Sequence, residues 1–226
     1  IREHVNAQNH SGDTALMTAC DNNLYSVVEV LLKDQHADVH IQNKEGETAA
    51  VLALSMCHFE VLELLLLFGL DVNAVLPHFT YETLLLRSCS LGMKEAVLFL
   101  LRHGANVEQA HSQSGETPLI LATRHGYTSI VELLILHKAD VNAVDFDMRS
   151  ALYVACLYGH VETVKEMLFR CPALDLDQQE SEEGSTAVIA SAIRGDLVLL
   201  RLLQQQGAPL DTEDDWGRSA GPESSG

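Results

Sequence analysis

The sequence predicts an all-α chain, a solenoid of stacked helix-turn-helix units separated by β-turn or hairpin fingers. Three observations predict it. A five-residue block with a hydroxyl or its like at the centre recurs through all 226 residues. Every block opens the same succession of apolar helix, turn and second apolar helix. The second helices are too apolar for one hairpin to hide them, so the hairpins have to be buried against one another.

The blocks are Gly12 to Leu16, Gly46 to Ala50, Tyr81 to Leu85, Gly115 to Leu119, Met148 to Leu152 and Gly184 to Val188. Their central hydroxyls stand at 14, 48, 83, 117, 150 and 186, in steps of 34, 35, 34, 33 and 36. Each of these hydroxyls, from Thr14 to Thr186, is placed to accept a bond from an orphan N–H of the first helical turn. Pro118 suits the next position, where a missing donor costs little. One turn further on come small residues: Ala19, Ala53, Ser88, Ala122, Ala155 and Ser191. They let neighbouring hairpins approach closely.

In the fourth copy the pattern predicts a first helix over Pro118 to Arg124, a turn at His125, Gly126 and Tyr127, and a second helix from Ser129 to Leu136. Gly92, Gly126, Gly159 and Gly195 share the turn position, which calls for a left-handed backbone. Asn23 and Cys57 take the same place in the first two copies. The second helices are rich in Leu and Val, as in Val27 to Leu32 and Val61 to Leu66. Each copy then closes in a loop such as Asp71-Val72-Asn73-Ala74 or Asp140-Val141-Asn142-Ala143.

At this point the chain resembles the ankyrin-repeat family, whose signature is a β-turn and two antiparallel helices with T-P-L-H-x-A at the first. The resemblance covers essentially the whole sequence and implies one domain over 1–220, with copies at 8–42, 43–76, 77–110, 111–143, 144–178 and 179–213. Partial copies are expected at 1–7 and 214–220, because His4 to Ala7 matches a closing loop and Trp216 to Ala220 matches an opening block. The chain therefore reads as part of a longer array, and 221–226 as a disordered or non-native tail.

The composition narrows the choice of partners. Fourteen Lys and Arg face 32 Asp and Glu, a formal charge of -18. Such a surface repels nucleic acid and anionic lipid, since phosphate binding is driven by basic side chains that release counterions. The longest apolar run, Leu64 to Leu70, is too short to span a membrane. Five cysteines without a C-x-x-C pair point to a reducing compartment, cytoplasmic or nuclear.

Catalysis finds no support in the motifs. The sequence contains no Gly-rich phosphate loop or HExxH. The eleven histidines form no compact ligand set, so neither a metal nor another cofactor is expected. Cys20, Cys89 and Cys156 share one repeat position and are read as core-filling small residues.

The resemblance implies a concave face made from fingers and first helices, which in this family usually binds protein. Carried over residue by residue, it gives an apolar line through Leu52, Met56, Leu91, Leu121, Leu157, Tyr158 and Ile193, with Arg124 and His125 beside it. Acidic fingers flank this line at Asp145 and Asp147, at Glu180, Glu182 and Glu183, and at Asp214 beside Trp216; Phe146 lies between the first pair. Residues 177 to 226 carry ten acidic and three basic side chains. Two readings of these fingers stand open: a solvated acidic rim whose only role is solubility, or the counterpart of a Lys- or Arg-bearing peptide that lies in the groove with its cations toward them. The protein is expected to be monomeric and to recruit its partner within a larger scaffold, adaptor or signalling protein. The alternative is a spacer or self-association segment that makes contact through Leu76, Phe79 and Tyr81.

Overall fold

The computed structural model describes residues 4–76 and 82–221. Among them are twelve helices in six hairpins: α1 (Ala15–Asp21) with α2 (Tyr25–Lys33), α3 (Ala49–Ser55) with α4 (Phe59–Leu67), and α5 (Leu84–Ser90) with α6 (Lys94–Arg102). The later hairpins are α7 (Pro118–Arg124) with α8 (Thr128–Leu136), α9 (Ala151–Tyr158) with α10 (Val161–Arg170), and α11 (Ala187–Arg194) with α12 (Leu197–Gln205). Extended structure among the described residues is limited to two isolated antiparallel bridges, Leu76 with Glu82 and Val144 with Ser150. The helices have seven to ten residues, shorter than a helix needs to persist alone in water. Packing has to hold them.

The chain divides into two compact units, residues 1–87 with 95–106 and residues 88–94 with 107–226. In the first, α1 packs on α2 and α3, and α4 packs on α2 and α3. In the second, α7, α9 and α11 lie side by side as one row, while α8, α10 and α12 form the other. The core runs between the rows. It holds Leu16, Met17, Leu62 and Leu65 in the first unit, and Leu119, Ile120, Leu134 and Leu152 in the second.

Local chemistry explains where each helix starts. Thr14, Thr48, Thr83, Thr117, Ser150 and Thr186 accept the N–H three residues on at 3.2–3.3 Å. Each such cap contributes about 1 kcal/mol. The small residue one turn later sets the stop. The carbonyls of Ala19, Ala53, Ser88, Ala122, Ala155 and Ser191 each accept an N–H from beyond the turn at 2.9–3.0 Å. Between donor and acceptor sits the left-handed residue, with φ of 54° at Asn23, 57° at Cys57 and 70° at Gly126.

Cys20, Cys89 and Cys156 are fully buried, and Cys57 is the exposed one among the five free thiols. Burial pushes Cys20 and Cys156 up to about 12 and moves Cys89 in the same direction. A raised thiol pKa adds stability that is complete below the ordinary value of about 8.5 and is lost as pH rises through the folded one. Urea unfolding should therefore show stability falling from pH ~9 to ~12. At pH 8, iodoacetamide should alkylate Cys57 in the native protein, with the other four reacting only on unfolding.

A second test concerns the turns. A Cβ on Gly126 would lie 2.6 Å from the His160 ring, whereas one on Gly195 meets nothing within 4 Å. Gly195→Ala should cost only the backbone term of about 1 kcal/mol in urea denaturation. Gly126→Ala should cost at least about 1 kcal/mol more, because a neighbouring ring must also move.

Candidate functional site

Five of the described fingers are built around one side-chain acceptor each, exposed in the first, half-buried in the second and buried in the last two and at Asp145. Asn9 Oδ1 takes the N–H groups of Ser11 and Asp13, both at 2.9 Å, and Asn43 Oδ1 takes those of Glu45 and Glu47. Asp145 Oδ1 does the same for Asp147 and Arg149, at 3.0 and 2.9 Å. Glu180 accepts from Glu182, Glu183 and Ser185, and Asp214 from Trp216 and Arg218. Side chains thus replace the missing backbone partners of a tight loop. Sequence reasoning missed this role, although its signal is present: an Asn, Asp or Glu recurs five or six residues before the capping hydroxyl.

Successive fingers are also tied through the backbone. In the first unit Lys44 N donates to Ser11 O at 3.0 Å. In the second, Phe146 N donates to Ser114 O, Ser181 N to Asp147 O and Asp215 N to Glu183 O, at 2.8–3.0 Å. The closing loops are joined similarly by Asn73 Oδ1, which accepts from Asn106 N, and by Asn142 Oδ1, which accepts from Asp175 N. On the helix side, the rings of His58 and His160 donate to the carbonyls of Cys20 and Arg124, at 3.0 and 2.9 Å.

This geometry corrects the reading of the acidic fingers. Asp145 is buried and bonded to Arg149 at 2.8 Å, and Asp147 meets the same guanidinium at 2.5 Å. Burial opposes the charge on Arg149, yet its bond to Asp145 and the nearby carboxylates of Asp145, Asp147 and Glu116 carry its pKa above the ordinary value. Glu183 and the buried Asp214 share Arg218, at 2.5 and 2.6 Å. Burial alone would raise the pKa of Asp214; the N–H and guanidinium of Arg218 and the N–H of Trp216 hold it below the usual carboxylate range. The remaining field is still felt nearby, since burial with the charges of Glu180 and Glu183 pushes Tyr153 up to about 12. Glu182 is exposed and has no ion pair among the described residues.

The apolar positions separate just as clearly. Leu121 is only 8% exposed and belongs to the core. It lies one helical turn before the end of α7, inside the row, so it has no free side to offer. Residues at the ends of the first helices do face outward: Met56 after α3 in the first unit, and Leu91, His125, Leu157, Tyr158 and Ile193 in the second. Leu52 is half-buried. Tyr158 stacks with His160 and His125 with Tyr127, which fixes their rings. Arg124 is half-buried and ion-paired with Glu116. Phe146 and Trp216 stand on their finger tips with most of their surface open. Leu76 is buried beside its bridge to Glu82, which removes it from an external contact; Phe79 and Tyr81 lie outside the described residues.

Among the described residues, no three His, Cys, Asp or Glu side chains are grouped to hold a metal, and no helix is long and apolar enough to cross a membrane. The fold and these surfaces define a helical-hairpin repeat protein with ordered fingers and apolar first-helix ends. A family model for ankyrin repeats in three copies matches residues 1–76 and 69–145, and the chain belongs to the ankyrin-repeat family. Repeats of this family are generally protein–protein interaction modules. The chain is 31% identical over 206 residues to the ankyrin repeat and KH domain-containing protein mask-1 of Caenorhabditis elegans. It is 31% identical over 165 residues to the B-cell lymphoma 3 protein homolog of Mus musculus. The matches take in 89% and 72% of this chain but only 8% and 29% of those proteins. The crystal structure of the ankyrin repeat domain of Bcl-3 shares the fold, with a TM-score of 0.82 over 93% of each chain at 24% identity.

The two kinds of acidic residue are separable by mutation. Asp145→Ala removes two loop bonds and one of the two carboxylates that hold Arg149, so it should lower stability by about 2–3 kcal/mol in urea denaturation. Glu182→Gln should change stability by less than ~0.5 kcal/mol.

Proposed function

We propose that this chain recruits a protein or linear peptide on the face formed by its fingers and first-helix ends, as one segment of a larger scaffold, adaptor or signalling protein. The observation that carries this reading is the set of large apolar side chains left open at the ends of α9 and α11. Leu157, Tyr158 and Ile193 stand in water although α9 and α11 bury most of their other apolar residues. Leu91, Phe146 and Trp216 are open in the same unit, and Met56 with half-buried Leu52 in the other. Clusters of exposed aromatic and aliphatic residues are the usual anchors of protein recognition.

The charged part of the interaction is secondary in this reading. Asp147 and Glu183 already hold arginines, whereas Glu182, and Asp215 beside Trp216, are exposed finger carboxylates that can meet a Lys or Arg of the partner. Binding without catalysis fits thiols whose pKa is raised by burial. Free cysteines throughout suit a cytoplasmic or nuclear setting.

The test is selection of peptides from a display library on the native chain, followed by affinity measurements. Tyr158→Ser with Ile193→Ser should weaken the selected ligands at least ~30-fold while circular dichroism stays native. Glu182→Lys should cost less than ~10-fold, and raising salt from about 0.05 to 0.5 M should do no more. Ligands indifferent to Tyr158 and Ile193 would remove the proposed face.

A further inference from the structure

The second helices of the first unit carry a ring pair that the helical repeat does not require. Phe59 of α4 stacks on Phe99 of α6 with 5.0 Å between ring centroids, and the His103 ring lies 4.1 Å from that of Phe99. With half-buried Leu98 these rings floor a groove of about 340 Å³, rimmed by Glu63, Glu95 and Arg102. Its lining comes from α4, α6 and the residue after α6, all within the first unit. The groove is therefore separate from the face of fingers and first-helix ends.

In the second unit the matching seam is closed by the chain's own guanidinium. Glu132, fifth in α8, and Glu166, sixth in α10, both hold Arg170, tenth in α10. In the first unit the fifth place of α4 keeps its carboxylate, Glu63, while the sixth place of α6 is Phe99 and the tenth position falls on His103. The imidazole does not close the seam. Its Nδ1 donates to Phe99 O at 2.8 Å, and Nε2 stops 3.9 Å from Glu63 Oε1, outside hydrogen-bond reach. The Glu63 side chain is 63% exposed, and Glu95 is exposed with no ion pair among the described residues. Two carboxylates thus face the one guanidinium of Arg102, which leaves the groove in want of a cation.

We propose that this groove seats an arginine side chain presented by a partner protein. A guanidinium is planar, so it lies against the Phe59 and Phe99 rings while its forked donors reach Glu63 and Glu95. An ammonium has no plane to stack. Arg170 between Glu132 and Glu166 is the internal precedent for the charged half of the contact, and the rings supply the rest.

The probe is the tripeptide N-acetyl-Ala-Arg-Ala-amide, titrated into the 226-residue chain at low salt and followed by the NMR signals of the phenylalanine rings. Saturable shifts at Phe59 and Phe99 are expected, with the lysine tripeptide ~3-fold weaker and the uncharged citrulline one ~10-fold weaker. Glu63→Gln with Glu95→Gln should weaken the arginine tripeptide ~10-fold while circular dichroism stays native, and Arg102→Ala, which removes a competing cation, should tighten it ~3-fold. Tyr158→Ser with Ile193→Ser should leave the titration unchanged, which separates this seat from the finger face. The absence of saturable shifts, equal binding of the arginine and citrulline tripeptides, or weaker binding to Arg102→Ala would overturn the proposal. Tighter binding of free arginine than of the tripeptide would overturn it as well, by making a small molecule the occupant.

Discussion

One constraint governs the molecule: a hairpin of two short helices has more apolar surface than it can fold inward, so its flank has to be covered by the next hairpin. Helices of seven to ten residues gain little from their own hydrogen bonds once nucleation is counted. Their persistence comes from burial in the neighbour, at roughly 25 cal/mol for each Å² of apolar surface removed from water. The remaining regularities follow. Hydroxyl caps fix where a first helix begins, and a left-handed residue fixes where it ends.

Polar side chains divide into those that hold the architecture and those left over. Asp145, Glu180 and Asp214 are acidic residues that solve a backbone problem, each closing a finger whose N–H groups would otherwise lack partners. Arg149 and Arg218 then neutralise what the closure leaves. A chain with a net charge of -18 is thus less acidic in effect, at these fingers, than its composition suggests.

Much of this was legible from residues that act locally. Thr117, Pro118 and the turn at Gly126 set the bounds of α7, and the helix runs from Pro118 to Arg124 as their spacing predicts. The positive φ at Asn23 and Cys57 was likewise readable, since their counterparts are glycines. Leu121 was misplaced because carrying a face over from the family's pattern gives a position on the helix and says nothing of how closely the neighbouring helices cover it. Asp145 was misplaced for a different reason. Counting charges treats a carboxylate as surface, while its partner Arg149, four residues away, converts it into part of the frame.

The N–H to carbonyl links between consecutive fingers, such as Ser181 with Asp147 and Asp215 with Glu183, have a consequence for how such a surface diversifies. Loops usually lose conformational freedom when they grip a ligand, and that loss subtracts from affinity. In the fingers so linked the main chain is clamped before any ligand arrives, so little remains to be frozen. Side chains at the tips can be exchanged, one for another, without disturbing the frame that presents them, and a new specificity requires new residues but no new backbone.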